Sequence, residues 1–362
     1  MKITNTLRFL AMAALLGAGS AHAASCDSST GGRIPSVLAA VAELHAALTP
    51  AQLAPLERPL TRESATRWSN LPVGVVPRAG LRLGDLDEKQ AAIARRVFEA
   101  ALSACGLALL DEVRRADDYL RAFDTRPIGW DGRNYYLSVL GAPSADKPWM
   151  LQLGGHHLAY NFMFNGKQPG ATPLFFGTEP IRFELQGVTS APLDVQSGAM
   201  RSLATAIATH SQAKLAGTFT DVVKGVEVTM VPGKLPQGGT DTGFPHTYPT
   251  GTLDRGVLYS ALDANQQAQV RAALRSYASL PGAAISQPLI AAYESAAALK
   301  ETYVGYAGAT DLSGKGSYVR IDGPRIWMEF VVQPAVAKPT ENHYHALWRD
   351  KLADYGGEVG AR

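Results

Sequence analysis

Hydrophobic and polar positions along the chain follow two different periods. Residues 34–48 and 86–121 are rich in Ala and Leu at helical spacing, with Ile93, Val97, Ala101 and Leu102 on one face. Gly106 stands where such a helix ends or kinks, and Leu109, Val113 and Leu120 continue a second amphipathic stretch. Between them, residues 54–84 hold Pro55, Pro59, Pro72 and Pro77, which suits an extended covering segment. Near residue 127 the period falls to two. Tyr135–Leu140, Trp149–Phe164 and Leu174–Gly177 are apolar and rich in aromatic and β-branched residues, and turns such as Gly141-Ala142-Pro143 and Asn165-Gly166-Lys167 separate them. Helical patterns return at 198–214, 263–279 and 286–304, and residues 231–251 form a long loop rich in Gly, Pro and Thr. Ser317–Ile321, Arg325–Gln333 and His343–Trp348 predict three closing strands. The order of helices, strands, helices, strands lacks regular βαβ alternation. It predicts an α+β fold, a mostly antiparallel sheet with helices packed against it, as a single domain over residues 24–362. No internal repeat is present.

Composition adds a globular class and a destination. The chain has 362 residues, of which 46% are hydrophobic and 18% charged, which excludes a disordered or collagen-like chain. Residues 1–23 read as a secretory signal. Lys2 and Arg8 precede the apolar run Phe9–Ala18, and Ala21-His22-Ala23 fits a cleavage site. The run is too short for the roughly 30 Å of a bilayer core, and no later segment has the length or apolarity to span. The expected compartment is therefore periplasmic or extracellular, with no integral membrane segment after signal removal. Losing Lys2 and Arg8 leaves 32 basic against 32 acidic side chains. A neutral chain has no footprint for nucleic acid, which requires clustered Lys and Arg. Cys26 and Cys105 are the only cysteines. Export permits a bridge between them, the alternative being two separate thiols. A lipid anchor on Cys26 would lack the Leu expected three residues earlier.

The candidate chemistry is histidine chemistry. Four histidines fall in two short motifs, Gly154-Gly155-His156-His157 and His343-Tyr344-His345. Residues two apart on a strand share a face, so His343 and His345 form a pair able to ligate one ion. Adjacent His156 and His157 cannot share a face of a regular strand. One of them joins the pair while the other packs or hydrogen-bonds behind it, and Gly154-Gly155 allows a bulge that re-aims a ring. His156, His157, His343 and His345 are thus the candidate metal ligands. Zinc or copper suits imidazole ligands in an exported protein. The bland reading of each is a hydrogen-bonded structural histidine. His246 lies in the long loop, and His45 and His210 lie in helical stretches.

Glu329 is a charged residue inside the apolar run Trp327-Met328-Glu329-Phe330, and either joins the site or faces solvent. Arg320, Arg325 and Arg349 are candidates for binding a carboxylate or sulfate, although Arg349-Asp350 also reads as a local ion pair. The candidate catalytic set is His156, His157, Glu329 and Arg349. No Gly-x-Ser-x-Gly elbow, His-Glu-x-x-His, Walker loop or Cys-rich cluster is present.

The segments Trp149–Leu158, Thr172–Pro180, Tyr318–Pro324 and His343–Asp350, the last followed by Asp354-Tyr355-Gly356, resemble a family catalogued as a domain of unknown function, family 3500. The resemblance covers about residues 85–357. It implies a single domain, marks both histidine motifs as family features and implies no established reaction.

Two functions follow from the residues. The first is an exported enzyme, a metal-dependent hydrolase or oxidase acting on a small molecule through the histidine site. The second is a non-catalytic small-ligand-binding protein whose pocket uses Tyr160, Phe162, Trp327 and Trp348. They are separated by whether the two histidine motifs meet.

Overall fold

The computed structural model describes residues 31–166, 169–215, 248–252, 254–357 and 359. The expected signal, Cys26, His246 and most of the long loop lie outside the described residues.

The N-terminal part is helical. It comprises α1 (Ile34–Ala47), α2 (Pro50–Leu56), the short strand β1 (Glu57–Arg58), α3 (Arg62–Ala65), β2 (Leu81–Arg82), α4 (Glu88–Ala101) and α5 (Ala104–Phe123). The proline-rich stretch therefore carries short elements rather than none. Asp87 and Gln90 form a reciprocal capping box that starts α4. The helix over 86–121 is broken at Leu102-Ser103, not at Gly106. Ser103 caps the new helix by accepting from the Gly106 N–H at 3.1 Å. Gly106 serves close approach instead, since a Cβ there would lie 2.1 Å from the Leu280 carbonyl.

The first run of strands is β3 (Tyr136–Leu140), β4 (Trp149–Gly155), β5 (Leu158–Phe164) and β6 (Leu174–Thr178), followed by the hairpin β7 (Phe183–Leu185) and β8 (Val188–Ser190). The apolar run 149–164 is thus two strands, with His156-His157 as the turn between them. Helix α6 (Asp194–Ile207), strand β9 (Val257–Leu258) and helices α7 (Ala264–Ala278), α8 (Ala283–Tyr293) and α9 (Ala296–Lys300) lead to β10 (Tyr303–Ala307), β11 (Tyr318–Asp322), β12 (Ile326–Pro334) and β13 (Asn342–Asp350). The helical stretch expected over 286–304 ends early. Tyr303-Val304-Gly305-Tyr306 pairs with β11 as a strand, because β-branched and aromatic residues favour the pleated surface there.

Eleven strands form one sheet in the order β1-β3-β4-β5-β6-β13-β12-β11-β10-β9, with β2 also on β3. Among the described strands, only the β1–β3 pair is parallel. The fold is α+β. Two antiparallel runs, β3 to β6 and β9 to β13, are zipped together where β6 pairs with β13. Residues far apart in the chain become neighbours at that seam.

The two faces of the sheet differ. One packs under α1, α4, α5, α6, α7 and α8, and its core includes Leu158, Tyr160, Phe162, Phe176, Met328, Phe330 and Trp348. Burying each such side chain contributes about 1.5–3 kcal/mol. The other face is covered mainly by irregular chain and α3, with Trp68, Met150, Met163, Phe175, Val331, Leu347 and Tyr355 in its smaller apolar cluster. Buried charge concentrates on this second face. Tyr160, Phe162 and Trp348 belong to the helix-side core and Trp327 to the opposite face, so the aromatic pocket expected from these four is not assembled.

Candidate metal centre

Chain alternation puts His343, His345, Leu347 and Arg349 of β13 on the irregularly covered face, because Tyr344, Ala346 and Trp348 pack under the helices. His343 and His345 therefore do share a face. Their Nε2 atoms lie 3.0 Å apart and both residues are buried. His345 sits opposite Gly177 of β6 and Val331 of β12.

The third ring arrives from the β4–β5 hairpin. Gly155 pairs with Leu158, leaving His156-His157 as a two-residue turn. His157 takes a left-handed backbone (φ 58°). Its N–H donates to the Asn70 carbonyl at 3.0 Å, and its own carbonyl accepts from the Gly177 N–H at 2.8 Å. These bonds aim the ring at β13. Ring centroids of His157 lie 5.4 Å from His343 and 4.9 Å from His345. One ligand nitrogen from each of His157, His343 and His345 lies within 4.8 Å of the others. The mid-chain and C-terminal histidine motifs thus meet.

His156 stands behind the trio. Its ring stacks on His157 at 3.7 Å, and its Nδ1 lies 2.5 Å from Asp117 Oδ1. The Tyr135 hydroxyl lies 3.1 Å from Asp117 Oδ2 and 2.8 Å from the His156 carbonyl, and Trp130 packs on the ring at 4.6 Å. Of the four candidate ligands, the structure brings three together and ties His156 to α5. A turn, unlike a strand, lets both adjacent rings lie in one stack.

Gly177 makes room for this. A Cβ there would lie 2.7 Å from the Tyr344 carbonyl, 2.9 Å from the His345 ring and 3.0 Å from the His157 ring. Sequence reading missed this residue, though a glycine inside the apolar run Leu174–Thr178 signals close approach. It also missed Asp117, which stands four residues after Val113 and three before Leu120, on the buried face of α5. Asn70 and Tyr135 left no signal.

Two of the three rings, His157 and His343, are held neutral. Burial, aided by the other three imidazoles, pushes His157 well below the usual histidine range. Burial and His156 push His343 down to about 4, against the carbonyl groups of Pro334 and Gln333. Desolvation also pushes the Asp117 carboxyl up, against His156 and Tyr135. Neutral imidazoles keep their lone pairs free for a cation. Nδ1 of His157 is buried with no hydrogen-bond partner. A tetrahedral ion with 2.0–2.1 Å bonds needs nitrogens about 3.3 Å apart; the His343 and His345 Nε2 atoms are 3.0 Å apart, and the His157 nitrogen lies within 4.8 Å of its partners.

Glu329 and Arg349 lie on the same face. Glu329 is fully buried, not turned to solvent. Its backbone pairs with Leu347, the next same-face residue along β13 from His345. It accepts from the Tyr318 hydroxyl at 2.5 Å. Arg349 pairs with Asp354 at 2.7 Å. Asp350, expected as its local partner, points to the other face and takes Arg325 at 2.5 Å and the Tyr293 hydroxyl at 2.9 Å. His45 pairs with Glu57 at 2.9 Å and His210 bonds Gln266 at 3.0 Å, both away from the trio.

Burial pushes the Glu329 carboxyl up to about 7, against Tyr318 and the charges of Arg320 and Arg349. A carboxyl whose folded value is raised holds its proton more tightly in the native state. It contributes stability that is complete below its unfolded value and is lost as pH rises through about 7. The stability of the parent chain relative to Glu329→Gln is expected to fall by roughly 3 kcal/mol between about pH 4 and pH 8. Urea unfolding of both proteins across that range measures it. Asp354, pushed up to about 6 by burial, acts in the same direction and is unchanged in the comparison.

Fold and site together define an α+β protein with three buried imidazoles converging on the irregularly covered face of its sheet. A family model described as a protein of unknown function, DUF3500, matches residues 30–357, and the chain belongs to that family. No curated protein and no solved structure matches the chain. Among the described residues, no helix is long and apolar enough to cross a membrane.

Proposed function

We propose that the chain is an exported metalloenzyme in which His157, His343 and His345 hold one divalent ion, zinc before copper, and that it hydrolyses a small-molecule substrate. The observation that carries this reading is the convergence of three buried ring nitrogens within 4.8 Å, from a hairpin and a strand about 190 residues apart. Three histidine ligands with a further position left for water are the usual set for catalytic zinc, which lowers the pKa of its water to near 7 and polarises a substrate oxygen. Hydrolysis needs no redox change at the ion, so this donor set supports it better than oxidation. Asp117 and His156 support the stack from behind. Export rests on the pattern of residues 1–23, and a Cys26–Cys105 bridge is the pairing such a compartment would permit.

The test is elemental analysis of protein purified without chelator, with thermal unfolding after chelation and after adding back zinc or copper. About one ion per chain, and an apparent stability that falls on chelation and returns with zinc, are expected, since a ligand of the native state stabilises it. Metal-free protein that gains nothing from either ion would end the metal reading.

A further inference from the structure

The grid of the sheet places a second polar cluster beside the imidazoles. Arg320 of β11 pairs with Glu329 of β12, Asp322 with Trp327, and Trp327 with Arg349 of β13, all with side chains on the irregularly covered face. Most charges here have partners. Asp322 takes Arg255 at 2.6 Å and Lys351 at 2.5 Å. Arg349 takes Asp354.

Arg320 and Glu329 do not behave this way. They are direct cross-strand neighbours of opposite charge type, with Cβ atoms about 5 Å apart, and such a pair ordinarily closes into an ion pair. Here each turns aside. Arg320 donates to the Asp254 carbonyl and lies over the Trp327 ring at 5.0 Å, and among the described residues no carboxylate forms a salt bridge with it. Glu329 Oε1 takes the Tyr318 hydroxyl. Arg320 Nε and Glu329 Oε2 are both left buried without a hydrogen bond. Arg320 is 3% exposed and Glu329 0%. Each orphaned atom costs about 1–3 kcal/mol, so the arrangement calls for a group that satisfies both.

We propose that Arg320 and Glu329 form a subsite for the carboxylate of a small organic acid, one oxygen accepting from Arg320 Nε–H and the other from the Glu329 hydroxyl. Planarity and two oxygens suit the two orphaned atoms better than a tetrahedral anion does. Burial raises the Glu329 carboxyl to about 7, so below neutral pH it holds a proton, acts as a donor and does not repel the ligand. The subsite does not need the metal. If both hold, it names the substrate class of the histidine centre as a carboxylic acid derivative, anchored two register positions from His345; that part rests on the metal reading.

The test uses chelator-treated full-length protein and thermal unfolding with sodium acetate, acetamide, sodium chloride and sodium phosphate as probes. Acetate is expected to raise the unfolding temperature in a saturable way that the other three do not match. Arg320→Gln is expected to weaken acetate at least about tenfold, the usual worth of a charge-assisted bond. Glu329→Gln keeps a donor and is expected to retain most of the binding. His343→Ala/His345→Ala is expected to bind acetate as the parent does, so loss of metal and loss of the subsite are separable. An acetate effect matched by acetamide or chloride, surviving Arg320→Gln, or exceeded by phosphate would overturn the assignment. If Arg320→Gln does not fold, the contrast between acetate and acetamide on the parent chain decides alone.

Discussion

Purified His343→Ala/His345→Ala protein is expected to carry no stoichiometric divalent metal where the parent chain carries about one ion. Both side chains lie on one face of β13 with their Nε2 atoms 3.0 Å apart, and their loss leaves His157 as the sole remaining imidazole of the trio. The loss of affinity should exceed the roughly 10–100-fold that follows removal of a group which only orients a ligand. Both histidines are buried, so alanine also opens a cavity. The paired single substitution His343→Gln keeps more of the volume and removes one ring. Elemental analysis and zinc titration, with circular dichroism to confirm the fold, read the outcome. A double variant that folds and binds zinc as the parent does would place the ion elsewhere.

Gly177→Ala is expected to cost about 1–3 kcal/mol of stability and to weaken metal binding together with it. The added methyl would sit 2.7 Å from the Tyr344 carbonyl, which is backbone of β13 and cannot turn away. It would also press on the His345 and His157 rings, at 2.9 Å and 3.0 Å, and drive apart the two rings whose approach forms the centre. Gly170→Ala is the control, because a methyl there meets nothing nearer than 3.7 Å. Urea unfolding and zinc titration of the two variants separate the effects. A Gly177→Ala protein as stable as Gly170→Ala, with unchanged zinc affinity, would show that the rings do not depend on that space.

Much of this is legible in the sequence. Strand period alone puts His343 and His345 on one face, because successive side chains must alternate. A Glu in the middle of Ile326–Pro334 marks itself as unusual by its neighbours. Helices α1, α4, α5 and α7 follow from apolar spacing within a few residues of their ends. The less legible features depend on contacts that no local window contains. His156-His157 reads as strand because its flanks are apolar, yet the pairing of Gly155 with Leu158 makes it a turn. Tyr303–Ala307 reads as the end of a helix, and becomes a strand only because β11 is there to pair with it.

By itself the sequence determined the class of fold, the periodic elements and the pairing of His343 with His345 on one face, since all three arise from interactions between residues a few positions apart. The tertiary structure decided where the chemistry lies. The seam pairs two strands, β6 and β13, that are separated along the chain by more than 160 residues. Only that long-range pairing sets Gly177 beside His345 and brings His157 over both. Its register is chosen by burial across the whole sheet, because a slip of one residue would exchange the two faces and expose the core.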